Sequence, residues 1–307
     1  MQDYRFHFQS KEPTRLDIAL ADLSRDIPLS RRRIRRAIDE GSVYVNKKRS
    51  RKAGTTLQGG ETLRIVMIDD EKLTPFNADQ LVWQHRTLYL IDKRSGQYAQ
   101  EALHRSKGTL PDELARHLKM TPRQAKLLRP VHRLDRDTSG LMLLSSDPKQ
   151  LQHLQSLWHS HVHKSYLAVV SPPPTWDKQR ITLPIDKKKD RLGRFHASAT
   201  GRACDTEVEV LERHENSALL RLIPHTGRTH QLRVHLSHIG CPILGDRRYQ
   251  GKSHARLMLH AHTLHIEKPA LAQSMQWTAK IDARFSNLFP SLIKQPKKIN
   301  DTSSQRD

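Results

Sequence analysis

The sequence predicts an α+β protein with two modules, a small N-terminal one and a larger domain built around a substantial sheet. Its 307 residues exceed the usual size of one domain. Hydrophobic segments of helical and of strand spacing recur from Val82 to Phe289, as in a folded chain. A charged, proline-containing stretch around residues 69–77 predicts a linker. The expected boundaries are 14–67 for the first module, 78–290 for the second domain and 294–307 for a polar, disordered tail.

The first module has the pattern of a small α/β unit. The segment LDIALADL has helical spacing, and a second helix is expected to begin after Ser30 as N-cap and to end at Gly41. Within this helix Ile34, Ala37 and Ile38 form an inward stripe. A tight hairpin, VYVNKK, is expected to follow the glycine.

The larger domain mixes strand and helix signals. A helix is expected after Asp147-Pro148, with Leu154 and Trp158 on its apolar side. The run DKKKDRLGR at residues 186–194 predicts an exposed basic loop. Strand patterns occur in LVWQHRTLYLIDK, GLMLLSS, KSYLAVV, DTEVEVLE and SALLRLIP.

The charge of the chain predicts a polyanionic partner. Lys and Arg number 53 against 32 Asp and Glu, which gives a net charge of +21 and a pI near 10.3. No apolar run approaches the length of a membrane span, so nucleic acid is the expected partner rather than a membrane. The N-terminus lacks an apolar signal core. Cys204 and Cys241 are too few for a disulfide framework or a cysteine-based zinc site, and we expect two buried thiols in a cytoplasmic protein.

One helix of the first module is strongly basic. Residues 29–52 hold ten lysines and arginines against two acidic residues, a net charge of +8. A solvated helix face is the ordinary interpretation of such a run, but the hairpin adds further cations directly afterwards, which favours RNA binding. The order of helix, glycine and V-Y-V-N-K resembles the S4-like RNA-binding module. The predicted RNA-binding residues are Arg31, Arg32, Arg33, Arg35, Arg36, Lys47 and Lys48.

The most specific segment is PVHRLDRDTSGLMLL at residues 130–144. Here Asp135 lies on a turn-rich loop between Arg133 and Arg136, whose charges favour an ionised carboxylate. The alternative is that Asp135 only pairs with an arginine or caps a turn. The segment resembles the H-R-L-D-x-x-T-S-G-L signature of the RluA-type pseudouridine synthases at every fixed position. This resemblance implies that Asp135 is a covalent nucleophile and that Arg133 helps to fill the space left by a flipped base.

A second segment, LIPHTGRTHQLRVHLSHIGCPILGDRRY, spans residues 222–249. A helix is expected to start at Thr229, which brings His230 and Arg233 onto one face. The spacing of the histidines at 230, 235 and 238 is not that of a helical metal pair, so we expect no metal. The segment resembles the same family's L-x-P-x-T-G-R-x-H-Q-[IL]-R-x-H pattern. The resemblance implies that Arg233 orients the carboxylate, whereas the alternative is a surface arginine.

Three shorter segments extend the resemblance over nearly the whole second domain. Lys164-Ser165-Tyr166 resembles the K-x-Y pair, which implies an active-site role for Tyr166 where core packing would be the ordinary interpretation. RLMLHAHTLHIEKP resembles the L-H-A-x-x-L segment. The family's K-P-x-G turn is Lys93-Arg94-Ser95-Gly96 here, and the missing proline puts the rigidity of that turn in doubt.

The resemblance implies a mainly antiparallel pseudouridine synthase domain that isomerises uridines of structured RNA without a cofactor. We expect a monomer acting on large-subunit ribosomal RNA, with transfer RNA as the alternative substrate. A non-catalytic RNA-binding protein and a metal-dependent RNA hydrolase are the competing functions. The predicted catalytic residues are Asp135, Tyr166 and Arg233, and the predicted substrate-binding residues are Arg133, Lys164, Leu222, Arg228 and His230.

Overall fold

The computed structural model describes residues 2–68, 74–187 and 194–294. The chain divides into two compact units. The first consists of the described residues up to Phe76 together with Tyr98–Thr121, and the second of Asn77–Gln97 and the described residues from Pro122 onward.

The first unit is built on a four-stranded sheet in the order β1-β6-β3-β4 and on a two-stranded sheet, β2-β5. Leu16, Leu20, Ile34 and Ile38 from its first two helices pack with residues of the larger sheet in one core. Its elements are β1 (Gln2–His7), β2 (Thr14–Arg15), α1 (Leu16–Leu23), α2 (Arg31–Glu40), β3 (Val43–Val45), β4 (Lys48–Ser50), β5 (Thr56–Leu57), β6 (Thr62–Met67) and α3 (Leu110–His117).

Helix α2 has the ends and the buried stripe that the sequence predicts. The Ser30 side chain accepts a hydrogen bond from the backbone N–H of Arg33, and Gly41 ends the helix in the left-handed conformation with a φ of +76°. Ile34, Ala37 and Ile38 are buried. The arginines are therefore left on the outside of the helix because the apolar stripe faces the core.

The first unit extends beyond the predicted residues 14–67 at both ends. Strand β1 pairs with β6 along its whole length. The segment Tyr98–Thr121, expected in the second domain, packs on the first unit through side chains that reach its backbone: Ser42 Oγ donates to the carbonyl of His104 (2.6 Å), and the Tyr44 hydroxyl to that of Leu103 (2.9 Å).

The second unit is organised around a ten-stranded sheet. Its path is β12-β15-β16-β11-β17-β10-β8-β7, with β18 paired to β17 and β9 to β10. Its elements are β7 (Leu81–His85), β8 (Leu88–Lys93), α4 (Pro122–Leu127), β9 (Arg129–Pro130), β10 (Ser139–Ser145), α5 (Pro148–Ser156), β11 (Val162–Val170), β12 (Lys178–Ile181), β13 (Ile185–Lys187), β14 (Phe195–Ala197), β15 (Thr206–Arg213), β16 (Ala218–Pro224), α6 (Gln231–His238), β17 (Leu259–Ile266), β18 (Met275–Thr278) and α7 (Ala283–Leu288), with single 3-10 turns at Ala78–Gln80 and Pro290–Lys294.

The sheet is mainly antiparallel, as expected, and β10 and β17 form its parallel pair among the described strands. The sequence places β10, α5 and β11 in succession, but β17 lies between the two strands. Its Ala261 is the register partner of both Gly140 and Tyr166. Consequently, Gly140, Ala261 and Tyr166 form one row across three strands, just beyond the Asp135 loop.

Two apolar clusters hold the helices to this sheet. Leu236 of α6 and Phe285 of α7 pack with β11, β16 and β17 in one cluster. Leu154 of α5 packs with β8 and β10 in the other. Cys204 and Cys241 are buried free thiols, as predicted.

Some expectations fall on residues that the structure does not describe. These are the tail beyond Lys294, most of the basic loop at 186–194 and most of the linker at 69–77. Among the described residues, no helix combines the length and the apolar character that a membrane crossing requires.

Candidate active site

A cleft of about 310 Å³ in the second unit contains Asp135, and we call it the Asp135 cleft. Seven of the eight residues predicted to act on the substrate line it: Asp135, Tyr166, Arg233, Arg133, Lys164, Arg228 and His230. The eighth, Leu222, has no exposed surface and belongs to the core, where it is the strand partner of Tyr166. Leu222, predicted to bind the substrate, instead packs beside Tyr166 in the core.

The Asp135 loop is held by the start of strand β10. Gly140 has a φ of +110°, and a Cβ there would lie 2.1 Å from the carbonyl oxygen of Ala261. Only glycine fits both conditions, because other residues rarely adopt this φ and the contact is with rigid backbone. The N–H of Thr138 donates to the carbonyl of Asp135 (3.2 Å), which closes the turn.

Lys93 also holds the Asp135 loop, through hydrogen bonds to its backbone carbonyls. It is fully buried, and its ammonium donates to the carbonyls of Arg94 (3.1 Å), Arg136 (2.7 Å) and Thr138 (2.6 Å). Burial lowers the pKa of Lys93 to about 7, while the charges of Asp137 and Asp135 oppose the shift. The turn that lacks the family's proline is thus fastened to the Asp135 loop by its lysine.

Arg233 joins two carboxylates. Its Nη1 lies 2.9 Å from Oδ2 of Asp135, and its Nε and Nη2 make two bonds of 2.7 and 2.9 Å to Asp246. Asp246 is almost completely buried and also accepts from the backbone N–H groups of Arg248 and Tyr249. A guanidinium fixed on one side by two parallel hydrogen bonds has little freedom to leave the other carboxylate.

The carboxylate of Asp135 is kept ionised by its neighbours. Burial would raise its pKa, but the charge of His230, present only when the imidazole is protonated at low pH, and the charge and hydrogen bond of Arg233 hold the pKa below its usual value. Burial in turn lowers the pKa of His230 to about 4. His230 is therefore neutral at pH 7, and Arg233 is the permanent cation beside Asp135.

Tyr166 lies on β11, paired with Leu222 on one side and Ala261 on the other. Burial and the nearby Asp135 charge both raise the pKa of its phenol. The hydroxyl is therefore protonated at neutral pH and can act as a hydrogen-bond donor in the cleft.

Part of the lining of the cleft is cationic and aromatic. The ammonium of Lys164 lies 5.4 Å from the centre of the Trp158 ring, and that ring stacks on His132 at 4.4 Å. Burial lowers the pKa of Lys164 to about 8. Arg133 and Arg228 also line the cleft. This arrangement suits a group that is both aromatic and anionic, as a nucleotide is.

Helix α6 starts later than predicted. It begins at Gln231, with His230 as its N-cap in the left-handed conformation (φ +58°), rather than at Thr229. Arg233 and His230 nevertheless approach the same oxygen of Asp135, at 2.9 and 3.7 Å. His235 is engaged elsewhere, with Thr206 Oγ1 at 3.0 Å and the carbonyl of Leu183 at 2.9 Å.

The predicted RNA-binding residues lie on α2 and the following hairpin of the first unit. Arg35 pairs with Asp17 and Arg36 with Glu40, while Arg33 donates to the carbonyl of Pro28. Arg31, Arg32, Lys47 and Lys48 are exposed, and none of the four has an ion pair with a described residue. Asn46 and Lys47 form the tight turn, both with positive φ.

The known proteins that this sequence resembles include RNA pseudouridine synthases. A model of the RNA pseudouridylate synthase family matches residues 87–238, and one of the S4 domain matches residues 14–63. Ribosomal large subunit pseudouridine synthase C of Vibrio vulnificus is 31% identical, over 91% of this chain and 92% of its own. The chain belongs to the RluA-type RNA pseudouridine synthases. It is therefore an isomerase with an N-terminal S4 domain and a pseudouridine synthase domain.

Further relatives agree with this membership. Ribosomal large subunit pseudouridine synthase D of Pasteurella multocida is 29% identical, with 91% of each chain covered. Among solved structures, human RNA pseudouridylate synthase domain containing 4 is 27% identical with a TM-score of 0.56, and the match covers 70% of this chain and 93% of that one.

The sequence interpretation missed three residues that hold the site: Lys93, Asp246 and Tyr249. All three lie in segments that resemble the family, Lys93 in the Lys93–Gly96 turn and Asp246 and Tyr249 at the end of the 222–249 segment, but the sequence pattern alone gives none of them a role. A buried arginine needs a buried counter-charge. Asp246 is the acidic residue of the segment that contains Arg233, and this could have identified it as the partner.

Proposed function

We propose that this synthase converts selected uridines of large-subunit ribosomal RNA to pseudouridine, with Asp135 as the nucleophile. The observation that carries the proposal is the 2.9 Å contact between Arg233 Nη1 and Asp135 Oδ2 inside the Asp135 cleft. This contact keeps the Asp135 carboxylate ionised and oriented inside a cleft whose lining suits an aromatic, anionic ligand. The proposal keeps the expectation of a monomeric, cytoplasmic enzyme that needs no cofactor.

The reaction detaches uracil from C1′ at N1, turns it, and rejoins it through C5. Asp135 has one of three possible first steps: attack on the sugar, attack on the base, or removal of the C2′ proton. Each requires an ionised carboxylate, which Arg233 maintains because a guanidinium keeps its proton at all working pH values. Arg233 therefore has the same role in all three possible first steps: it keeps the Asp135 carboxylate ionised.

The other residues bind and orient the nucleotide. The target uridine must leave its stack to reach Asp135, and contacts to the RNA backbone offset part of the cost of unstacking. Lys164, Arg228 and His230 are proposed to contact the extruded nucleotide, and Arg133 to occupy the vacated space. Tyr166 is proposed to stack on the base and to act near C5 when the final proton leaves.

The choice of ribosomal RNA is supported by the names of two relatives, ribosomal large subunit pseudouridine synthases C and D. The basic α2 helix and its hairpin favour a large structured RNA, since they add phosphate contacts outside the cleft. Transfer RNA remains the second candidate substrate of the same reaction.

The experiment is a map of pseudouridines by chemical labelling in total RNA from cells with and without this protein. The expected result is the loss of defined sites in large-subunit ribosomal RNA, restored by the wild-type gene. Loss confined to transfer RNA would reassign the substrate. An unchanged map in every RNA would contradict the proposed activity.

A further inference from the structure

Tyr249 connects the backbone of strand β14 to His230. The tyrosine is buried, and its hydroxyl accepts a hydrogen bond from the N–H of Phe195 at 3.1 Å. The same hydroxyl lies 2.7 Å from Nδ1 of His230. The two rings meet edge to face, with centroids 5.5 Å apart, so that the contact is also a packing contact.

The protons at these contacts can be assigned. The backbone N–H can only donate, so the Tyr249 oxygen is the acceptor there and its own proton is available for His230. Neutral imidazole carries one proton, and Nδ1 is the nitrogen that would accept from the phenol. If Nδ1 carried the proton instead, the phenol proton would face a donor in a buried setting, which is unfavourable. The proton of His230 is then on Nε2.

Nε2 of His230 points towards the nucleophile. It lies 3.7 Å from Oδ2 of Asp135, the oxygen that Arg233 also contacts. With the proton on Nε2 this approach is attractive, whereas a lone pair there would face the carboxylate charge. Within the described part of the chain, both side-chain contacts of Asp135 go to Oδ2, so Oδ1 is left for the substrate.

We propose that Tyr249 is a positioning residue that fixes His230 as its Nε2–H tautomer, so that His230 and Arg233 together hold Oδ2 of Asp135 and Oδ1 is the reacting oxygen. The inference rests on the proposed role of Asp135. In the complex with RNA the 3.7 Å contact shortens to a hydrogen bond, as contacts in unliganded active sites commonly do.

The tautomer itself can be measured without any assay of activity. The protein is labelled with ¹⁵N-histidine, and long-range proton–nitrogen spectra at pH 7 separate the Nε2–H from the Nδ1–H form. The signal of His230 is identified by its loss in His230→Gln. The expected result is the Nε2–H form; an Nδ1–H form or an equal mixture would overturn the inference, whatever the activity of the enzyme.

The Tyr249→Phe variant tests the cause. Removing only the hydroxyl should shift His230 to a mixture of tautomers and lower the single-turnover rate about tenfold, as expected for one lost hydrogen bond, with RNA affinity unchanged. The matched control is Tyr98→Phe, which removes another buried phenol that is hydrogen-bonded to a histidine, His104 at 2.6 Å, in the first unit.

The outcomes separate this inference from the proposed function. Tyr98→Phe should leave the His230 spectrum and the rate at saturating RNA unchanged. If Tyr249→Phe folds, as judged by its melting temperature, but keeps the pure Nε2–H form, Tyr249 does not set the tautomer and the inference fails. If wild type shows Nε2–H but Asp135→Asn retains activity, the tautomer assignment holds and the proposed role of Asp135 fails instead.

Discussion

The Asp135 cleft and the basic surface of helix α2 use charge in opposite ways. In the cleft, Arg233 is 9% exposed and makes three hydrogen bonds to two carboxylates. On α2, Arg35 and Arg36 are about 70% exposed, each paired with one carboxylate, and Arg31 and Arg32 have no ion pair with a described residue. Arg233 is fixed by its surroundings, whereas these four arginines of α2 are largely in solvent, where they can reorient towards a ligand.

This difference has an energetic cause. A buried charge is costly to desolvate and is tolerated only where several partners compensate it, and the same partners fix its position. An exposed cation loses little solvation and gains mainly from the counterions that its phosphate contacts release. We therefore expect the chemistry in the cleft and the salt-sensitive part of the RNA affinity on the basic surface. Each of the following changes tests one side of that division.

Tyr166→Phe should have the largest effect among these changes. The ring can still stack on the base, but the hydroxyl is lost, so the single-turnover rate should fall by about 10² to 10⁴ while RNA affinity is preserved. Rapid-quench kinetics at saturating RNA give the rate, and equilibrium binding gives the affinity. A normal rate would mean that Tyr166 is a packing residue beside Leu222.

Asp246→Asn should damage both stability and catalysis. It removes the buried charge that accepts two hydrogen bonds from Arg233, at a cost of about 3 kcal/mol in the free energy of unfolding, and frees the guanidinium to turn away from Asp135. Urea denaturation measures the first effect and single-turnover rate the second.

The matched control for this variant is Asp205→Asn. Asp205 also makes two hydrogen bonds to one arginine, Arg180, but that arginine is 58% exposed. Asp205→Asn should lower the free energy of unfolding clearly less than Asp246→Asn, because exposed ion pairs contribute little. It should also leave the single-turnover rate unchanged. If both variants lost equal stability and equal rate, burial would make no difference to the effect of the charge, against the proposed comparison.

Replacing four exposed cations of helix α2 and its hairpin should change RNA affinity alone. With Arg31, Arg32, Lys47 and Lys48 changed to Ala, the slope of log affinity against log salt should flatten by up to about 3 units, while the rate at saturating RNA is kept. The control has the same change in net charge. Its substitutions remove Lys178, Arg180, Arg213 and Arg221, each already paired with a carboxylate in the second unit.

If the control flattens the salt slope as much as the first-unit variant, the basic surface of α2 has no special role and only net charge matters. If the first-unit variant lowers the rate at saturation instead, these cations take part in the chemistry. Either result would break the proposed division between the two regions.

Lys164 should give the smallest effect, visible as a pH dependence. Burial lowers its pKa to about 8, so the free enzyme carries this charge below pH 8 and loses it above. If Lys164 contacts a phosphate, RNA affinity should fall as the pH rises from 7 to 9, and the salt slope should decrease by somewhat less than about 1 unit. Lys164→Arg should remove this pH dependence, since a guanidinium stays charged. Identical pH profiles for the two proteins would contradict the contact.

Local features of the fold were predictable from sequence, because they depend on neighbouring residues. The N-cap at Ser30, the left-handed Gly41 and the buried stripe of α2 follow from side-chain chemistry within one helix. The residues around Asp135 were identified because a matched segment fixes their order. Seven of the predicted substrate residues consequently meet in one cleft.

Non-local features were not predictable in the same way. The position of β17 between β10 and β11 depends on pairing between residues 91 to 121 positions apart along the chain, which no local pattern encodes. The segment Tyr98–Thr121 packs in the first unit through hydrogen bonds to its backbone carbonyls. Every residue has a carbonyl, so these contacts leave no signal in the sequence. The left-handed His230 that begins α6 was missed because a non-glycine residue in this conformation is held by its surroundings.

The central claim is that Asp135 is the nucleophile, and the most direct test compares two carboxylates of one loop. Asp135→Asn keeps the shape of the side chain but removes its charge, and Asp137→Asn makes the same change at a carboxylate that is 43% exposed and paired with Arg136. Both variants are assayed by single-turnover pseudouridine formation on ribosomal RNA lacking the modification, with folding and RNA binding checked in parallel. We expect Asp135→Asn to bind RNA and form no pseudouridine, and Asp137→Asn to retain activity. Turnover by Asp135→Asn above a few per cent of wild type would contradict the account.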